Sequence, residues 1–151
     1  MPAHDLLGNV GAAATPSSRE GNAVPSTAED RDEILQLLYR YNHAFDSGDA
    51  EGWADTFTDD AVFDAAGRVM SGREELVAFA SGVGGRRHVL ANPLIEVAGD
   101  TATVRAYLLL FQGKTLARTG ASDDAVVRTP AGWRFAKRVF RPDGETEGPQ
   151  R

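Results

Sequence analysis

The chain has 151 residues, of which 42% are hydrophobic and 25% charged, a composition typical of one globular domain. Its net charge of −6 and the lack of a sustained basic run argue against nucleic acid as a partner. The absence of cysteine excludes disulfides, thiol catalysis and thiolate metal sites, and three histidines are too few for a histidine-rich metal centre. We therefore expect neither a metal nor a cofactor.

The two ends of the chain differ in composition from the segment between them. Residues 1–27 are rich in Gly, Ala, Ser, Thr and Pro without periodicity, and residues 142–151 are polar and turn-rich. Both are predicted as flexible ends of a domain at residues 28–141. No apolar run approaches the roughly 20 residues that cross a bilayer, and the N-terminus has no basic lead of a secretory signal. We expect no membrane association and a cytoplasmic location.

An amphipathic helix is predicted directly after the N-terminal arm. Ser26 and Glu29 have capping-box spacing, and Gly48 is the expected left-handed terminator. Asp46 projects at the margin of the apolar stripe in the last turn, where the negative end of the helix dipole disfavours a carboxylate. The stripe recurs at three- and four-residue steps: Ile34, Leu37, Leu38, Tyr41 and Phe45. An acid at this end of a helix suggests a role outside the helix.

Helices come first in the chain and long strands come last. A second helix is predicted at residues 50–57 with Asp49 as its cap, and a third in "SGREELVAFASG" with Ser71 as its cap and Glu74 at the capping-box position. The strand "AVFDAA" separates them. Four long strands follow from Arg86, joined by "GD", "GK" and "TPAG" turns. This order predicts an α+β fold: a cone-shaped curved antiparallel sheet, or half barrel, wrapped by three N-terminal helices and enclosing a cavity.

Aromatic residues and paired acids have structural interpretations. Trp53, Phe57, Phe63 and Phe79 are predicted to close the apolar end of the cone, and of these Trp53 and Phe63 are also candidates for ligand contact. The acids of "TDD" at 58–60 and "SDD" at 122–124 lie next to predicted turns without a set of metal ligands. We expect these acids to cap turns and to be solvated.

Side-chain alternation along the strands identifies further candidates. In "RHVLANPL", His88 and Asn92 share a face with two leucines, which suits an apolar pocket with few polar anchors; a polar dimer face is the alternative. In "TATVRAYLLLF", the face that carries Tyr107 is interpreted as either a cavity lining or a dimer interface. Arg138 in "GWRFAKR" is a candidate anchor for a carboxylate or phenolate, with an exposed strand arginine as the alternative.

Over residues 29–141 the chain resembles a SnoaL-like domain of the nuclear-transport-factor-two-like superfamily. The order and spacing of four segments carry the resemblance: "LLYRYNHAFDSGDAEGWADTFTDDAVFD", "SGREELVAFA", "RRHVLANPLIEVAGDTATVRAYL" and "DDAVVRTPAGWRFAKR". It implies a cone-shaped α+β barrel, often a homodimer through the outer face of the sheet. The family includes polyketide cyclases, ketosteroid isomerases, dehydratases, epoxide hydrolases and non-catalytic binding modules, so the fold implies a cavity rather than one reaction.

The resemblance also implies roles for three residues. Dehydratase-like members use a tyrosine and an aspartate five residues apart on the first helix and a histidine across the pocket, at positions that match Tyr41, Asp46 and His88. In this interpretation His88 is base and acid, Asp46 orients it, and Tyr41 polarises a substrate carbonyl. The second pocket histidine of scytalone dehydratase has no counterpart, because His43 lies on the polar flank of the helix. The tyrosine that often precedes the acidic pair is Ser122 here.

The alternative for these three residues is purely structural: a solvated acid at a helix end, a satisfied histidine in a sheet and a tyrosine in the core. The functional hypothesis is a cofactor-free lyase or isomerase of the dehydratase, double-bond isomerase or polyketide cyclase type. It would act by His/Asp proton transfer on a hydrophobic, oxygenated polycyclic or polyketide-like small molecule. The substrate would contact some or all of five further residues: Asn92, Trp53, Phe63, Tyr107 and Arg138.

Two other functions remain open. The first is a non-catalytic small-molecule-binding or accessory module that uses the same cavity, and it is favoured if His88 does not reach Asp46 within hydrogen-bonding distance. The second is epoxide hydrolysis, which requires Arg105 or Arg138 between two pocket acids. The sequence supplies no clear second acid for that arrangement.

Overall fold

The computed structural model describes residues 27–144. Residues 1–26 of the predicted arm, including the Ser26 cap, and the predicted tail from residue 145 lie outside the described residues. Three helices and six strands follow in chain order: α1 (Thr27–Ser47), α2 (Ala50–Ala54), β1 (Phe57–Ala65), β2 (Arg68–Ser71), α3 (Gly72–Ala80), β3 (Arg86–Ala98), β4 (Thr101–Gln112), β5 (Thr115–Thr129) and β6 (Gly132–Pro142).

The six strands form one curved, unclosed sheet in the order β2-β1-β6-β5-β4-β3. Neighbouring strands are antiparallel, apart from β1 and β6, which are parallel. The predicted α+β class and the helix-wrapped sheet are thus confirmed, although the sheet contains one parallel pair. None of the three helices of the described part of the chain is long and apolar enough to cross a membrane.

The sequence of α1 explains where the helix packs and where it stops. Its apolar stripe is buried against the sheet. Gly48 adopts a φ of 78°, a left-handed conformation that glycine adopts without strain and that ends the helix. The next residue, Asp49, caps α2 as predicted, because its Oδ1 accepts the Gly52 N–H at 2.9 Å.

An aromatic cluster fixes α1 and α2 on the inner face of the sheet. Trp53 is fully buried and lies 4.9 Å from Phe57 and 5.4 Å from Tyr41, measured between ring centroids. Tyr41 also contacts Phe135 of β6 at 5.4 Å. Edge and tilted contacts of this kind suit the aromatic quadrupole, and the buried rings hold the end of α1 close to β3 and β6.

Several local predictions are corrected. The second helix ends at Ala54, and β1 begins at Phe57, so the "TDD" acids belong to a strand rather than to a turn. The "SDD" acids lie inside β5, and Asp124 is buried there rather than solvated. At the start of α3, the Ser71 side chain makes no capping hydrogen bond. The backbone N–H of Ser71 donates to Glu75 Oε2 at 2.7 Å, so Glu75 rather than Glu74 has the capping-box contact.

The prediction that His88 and Asn92 share a face is wrong, because β3 contains a bulge between them. Asn92 has a φ of 51°, and the pairing of β3 with β4 shifts register between Ala91 and Leu94. Pro93 follows, which cannot donate a backbone hydrogen bond, and asparagine tolerates the left-handed conformation. The bulge changes the alternation, so Asn92 is exposed and Leu94 is 67% exposed on the outer face.

Candidate functional site

The acid at the end of α1 contacts the histidine of β3 through both of its oxygens. Asp46 Oδ1 lies 2.5 Å from His88 Nδ1, and Asp46 Oδ2 accepts the backbone N–H of His88 at 2.8 Å. The His88 side chain is 12% exposed and that of Asp46 18%. The carboxylate therefore fixes both the strand position and the ring orientation of His88.

This contact determines which nitrogen of His88 is available for chemistry. An ionised carboxylate only accepts hydrogen bonds, so Nδ1 carries the proton and Nε2 is the basic nitrogen of the neutral ring. Among the described residues, Nε2 has no hydrogen-bond partner. Phe45 packs edge-on against the ring with centroids 5.3 Å apart. In this geometry one ring nitrogen is available as a base, and the carboxylate of Asp46 binds the other ring nitrogen.

His88 lines a cavity between the helices and the inner face of the sheet. The cavity has a volume of about 120 Å³. Aromatic and aliphatic side chains form most of the wall. Its polar groups come from six residues: Tyr41, Arg86, His88, Arg118, Ser122 and Arg138. Ligand sites of this kind combine an apolar wall with a few polar anchors.

Arg138 of β6 is the main polar group deep in the cavity. It is 2% exposed, its Nη2 donates to Ser122 Oγ at 3.1 Å, and its Nε lies 3.3 Å from Asp124 Oδ1. Its guanidinium carbon lies 4.2 Å from the ring centroid of Tyr41. Nη1 has no hydrogen-bond partner among the described residues. A buried donor without a partner is costly, so a ligand oxygen that accepts from Nη1 would be favoured.

Burial changes the titration of two groups near Arg138. It raises the pKa of Tyr41 to about 12, although the positive charge of Arg138 opposes the change, so the phenol is a neutral hydrogen-bond donor at neutral pH. Burial also raises the pKa of Asp124 to about 6, again against the effect of Arg138. The carboxyl of Asp124 therefore titrates much closer to neutrality than an exposed aspartate does.

The structure brings some of the predicted site residues together. Tyr41, Phe63, His88 and Arg138 line the cavity, and Asp46 supports His88 from outside it. The alternative of an exposed Arg138 is wrong, because α1 covers that end of the sheet.

The other predicted site residues do not line the cavity. Trp53 is buried in the core behind it, and Asn92 is exposed at the bulge. Tyr107 is 56% exposed on the outer face of β4, because the opposite face, which carries Ala102, Val104 and Ala106, is the one buried in the core.

Sequence reasoning missed Ser122 and Asp124 as part of the site. Both are buried, at 1% and 5% exposure. Strand alternation contained the signal, since residues 122, 124 and 126 share a face and Val126 is apolar. The pairing of Asp124 with Arg138 in the β5–β6 register was not available without the structure.

Neither arginine has the two acids that epoxide hydrolysis requires. Arg105 pairs with Asp123 on the outer face, where the arginine side chain is 66% exposed. Arg138 pairs with Asp124, and no second acid forms an ion pair with it among the described residues.

Known proteins resemble this chain over most of its length. The model of the SnoaL-like domain matches residues 26–139. The uncharacterized protein Rv2910c of Mycobacterium tuberculosis is 35% identical over an alignment of 122 residues, and the match covers 73% of this chain and 83% of that protein.

Two solved structures from Novosphingobium aromaticivorans have similar folds. The first, an NTF2-like protein with a cystatin-like fold, has a TM-score of 0.73 and 32% identity, and the match covers 80% of this chain and 86% of that one. The second, provisionally named a scytalone dehydratase, has a TM-score of 0.69 and 23% identity, with 81% and 89% covered; this likeness concerns the fold alone.

The curved sheet, the wrapping helices and the cavity with a histidine–carboxylate pair define a small α+β domain of the cystatin-like, NTF2-like class. The chain belongs to the family of SnoaL-like domains.

Proposed function

We propose that the protein is a cofactor-free lyase or isomerase, of the dehydratase, double-bond isomerase or cyclase type, that acts on a hydrophobic, oxygenated small molecule. The observation that carries the proposal is the 2.5 Å contact between Asp46 Oδ1 and His88 Nδ1 beside the cavity. It leaves Nε2 as a base, and the neighbouring carboxylate stabilises the imidazolium that proton uptake creates.

In a dehydration, His88 Nε2 removes the proton on the carbon next to a carbonyl group. The electrons of the broken C–H bond move to the carbonyl oxygen, which becomes an enolate. Tyr41 and Arg138 donate hydrogen bonds to that oxygen. The enolate then re-forms the carbonyl and expels the β-hydroxyl, which leaves as water with the proton of His88. An isomerase differs only in returning the proton to another carbon.

The size of the cavity sets the size of the substrate. A volume of about 120 Å³ is below the roughly 300–1,000 Å³ typical of drug-sized ligand sites. A polycyclic substrate fills more than this volume. We therefore infer that a single ring or a short chain enters the cavity and that the rest of the ligand lies at its mouth.

The test is to incubate the protein with a panel of aromatic β-hydroxy ketones. The absorbance of the conjugated enone that dehydration forms measures the rate. We expect the wild-type protein to accelerate dehydration of at least one compound and His88→Ala to lower the rate by about 10²-fold or more. His43→Ala is the matched control, because His43 is exposed on α1. Full activity in His88→Ala would refute the role of His88.

The second candidate is a binding module without chemistry. It is favoured by the presence of one histidine, rather than two, at the cavity in the described part of the chain. Saturable binding of the same ketones by the wild-type protein, without turnover of any of them, would support this candidate over the enzyme.

We also propose that two copies associate through the outer face of the sheet. Three large apolar side chains are exposed on this face: Val89 at 41%, Leu94 at 67% and Tyr107 at 56%. Burial of such residues stabilises an interface. Light scattering should give a dimer mass for the wild-type protein and a monomer mass for Leu94→Asp; a monomeric wild-type protein would contradict the proposal.

A further inference from the structure

The mouth of the cavity has a charge opposite to that of the whole protein. Arg86 at the start of β3 and Arg118 near the start of β5 line the cavity, and both are exposed. Arg118 lies four residues before Ser122 on the same face of β5, a distance of about 13 Å along an extended strand. The cavity therefore has a cationic group at each end, with Arg138 inside and two arginines at the mouth.

The sequence around the mouth contains cations and no acids. Residues 83–95 and 106–122 include Arg86, Arg87, Lys114 and Arg118 but no aspartate or glutamate, in a chain of net charge −6. Two acids from other segments lie nearby. The carboxylate of Asp143 accepts a hydrogen bond from Thr119 Oγ1 at 2.6 Å, and that of Asp46, which binds His88, lies beside Arg86 and Arg87.

Several arginines elsewhere on the surface are paired with acids, whereas the basic residues at the mouth form no ion pair among the described residues. Arg73 pairs with Glu51 and Asp55, and Arg105 and Arg141 pair with Asp123. Within residues 27–144, Arg86, Arg87, Lys114 and Arg118 form no ion pair. Unpaired guanidinium groups around an apolar cavity produce a positive potential that attracts an anionic ligand.

We propose that the ligand of this cavity carries an anionic group, a carboxylate or a phosphate, which Arg86 and Arg118 bind at the mouth. Its apolar part lies against Phe45, Phe79 and Leu110, and its carbonyl oxygen approaches Arg138. The proposal rests on the proposed function and adds the charge of the substrate to it. The small volume of the cavity supports it, because the charged part then stays outside the apolar wall.

The anion has two chemical sources. It is either a carboxylate of the substrate itself or the phosphates of a carrier to which the substrate is joined as a thioester. Two matched pairs of probes separate them: 4-acetylbenzoate with 4-acetylbenzamide, and acetoacetyl-coenzyme A with the acetoacetyl thioester of N-acetylcysteamine. Each pair holds the carbonyl group constant and changes the charge.

Titration calorimetry of the full chain tests the proposal. We expect at least one anionic probe to bind the wild-type protein about tenfold more tightly than its neutral partner. The pair in which the anionic probe binds more tightly identifies the source of the anion. Arg86→Gln/Arg118→Gln should remove this preference without weakening binding of the neutral probe. Arg31→Gln/Lys137→Gln removes the same net charge at exposed positions away from the cavity and should retain the preference.

Three results would each overturn the proposal. The charged and neutral probes bind with equal affinity, the preference survives in the Arg86/Arg118 variant, or none of the four probes binds measurably. Its failure is distinct from failure of the proposed function. Turnover of neutral ketones without a charge preference would leave the enzyme and refute the anion site. A charge preference in both wild-type protein and His88→Ala, with no turnover, would support the anion site and refute the enzyme.

Discussion

Asp46 binds His88 through both carboxylate oxygens, one on the backbone N–H at 2.8 Å and one on ring Nδ1 at 2.5 Å. The acid that is unfavourable at the end of α1 thus contacts a residue of β3 that lies 42 residues further along the chain. The backbone contact places β3 against the helix, and the ring contact selects the tautomer of His88. Structure and proposed chemistry depend on the same side chain.

Asp46→Asn should separate these two roles. An amide oxygen accepts one hydrogen bond but does not stabilise an imidazolium, so we expect the dehydration rate to fall by about 10²–10⁴-fold. Loss of a charge-assisted hydrogen bond should lower the free energy of unfolding by about 1–3 kcal/mol, measured by urea denaturation. Asp59→Asn, at an exposed position in β1, is the control. An unchanged rate in Asp46→Asn would contradict the orienting role.

Tyr41→Phe tests the hydroxyl while keeping the ring in the aromatic cluster. We expect a fall in turnover of about 10-fold to 10³-fold, because one donor to the developing enolate is lost. Stability should change little, since the ring contacts with Trp53 and Phe135 remain. Tyr39→Phe, on the exposed side of α1 at 44% exposure, should behave as wild type. Wild-type turnover in Tyr41→Phe would show that Tyr41 only packs.

Asp124 should make stability depend on pH in an unusual direction. Its pKa is about 6 in the folded protein and near the ordinary 3.8 in the unfolded chain, so the folded state binds the proton more tightly. The resulting stabilisation is fully present below the unfolded pKa and is lost as pH rises through about 6.

Asp124→Asn removes this dependence. The free energy of unfolding of wild type minus that of the variant should fall by about 1–3 kcal/mol between roughly pH 4 and pH 6. Urea denaturation across this range measures the difference, and Asp59→Asn is the comparison. A difference that is flat or rises with pH would show that Asp124 is not the carboxyl responsible.

Trp53→Phe tests whether this residue belongs to the core or to the ligand site. Trp53 is fully buried and does not line the cavity. We expect a loss of about 1–3 kcal/mol in the free energy of unfolding and no change in the affinity for 4-acetylbenzoate or acetoacetyl-coenzyme A, whichever binds. Leu116→Ala, at a position 47% exposed, should be nearly neutral for stability. A selective loss of probe affinity in Trp53→Phe would return Trp53 to the ligand site.

Periodic segments of the sequence were sufficient to predict most of the fold. The three- and four-residue spacing of α1 identified its buried stripe, and Gly48 and Asp49 marked the end of one helix and the start of the next. Alternation separated the two faces of β4, but only the structure showed that the face of Ala102, Val104 and Ala106 is the buried one, whereas Tyr107 faces outward. The stripe, the helix boundaries and the alternation depend on local backbone geometry, so one segment contains the information.

The site was predicted less completely, and the errors have local causes. The bulge at Asn92 reversed the faces of β3 after Ala91, and alternation cannot predict an inserted residue. For the "SDD" acids the sequence predicts turn capping and solvation, because they lie next to a predicted turn without a set of metal ligands. Their opposite environments, with Asp123 on the outer face and Asp124 buried beside Arg138, follow from the register of β5 with β6.

The sequence by itself determined the helical stripe, the strand order along the chain, the acid at the end of α1 and the net charge. Only the tertiary structure decided which of these residues meet: Asp46 with His88, Asp124 with Arg138, and Arg86 with Arg118 around one cavity. The physical reason is that local propensities and side-chain periodicity act over a few residues. Pairing between distant strands and a helix end depends on register, bulges and burial, which are properties of the whole packed domain.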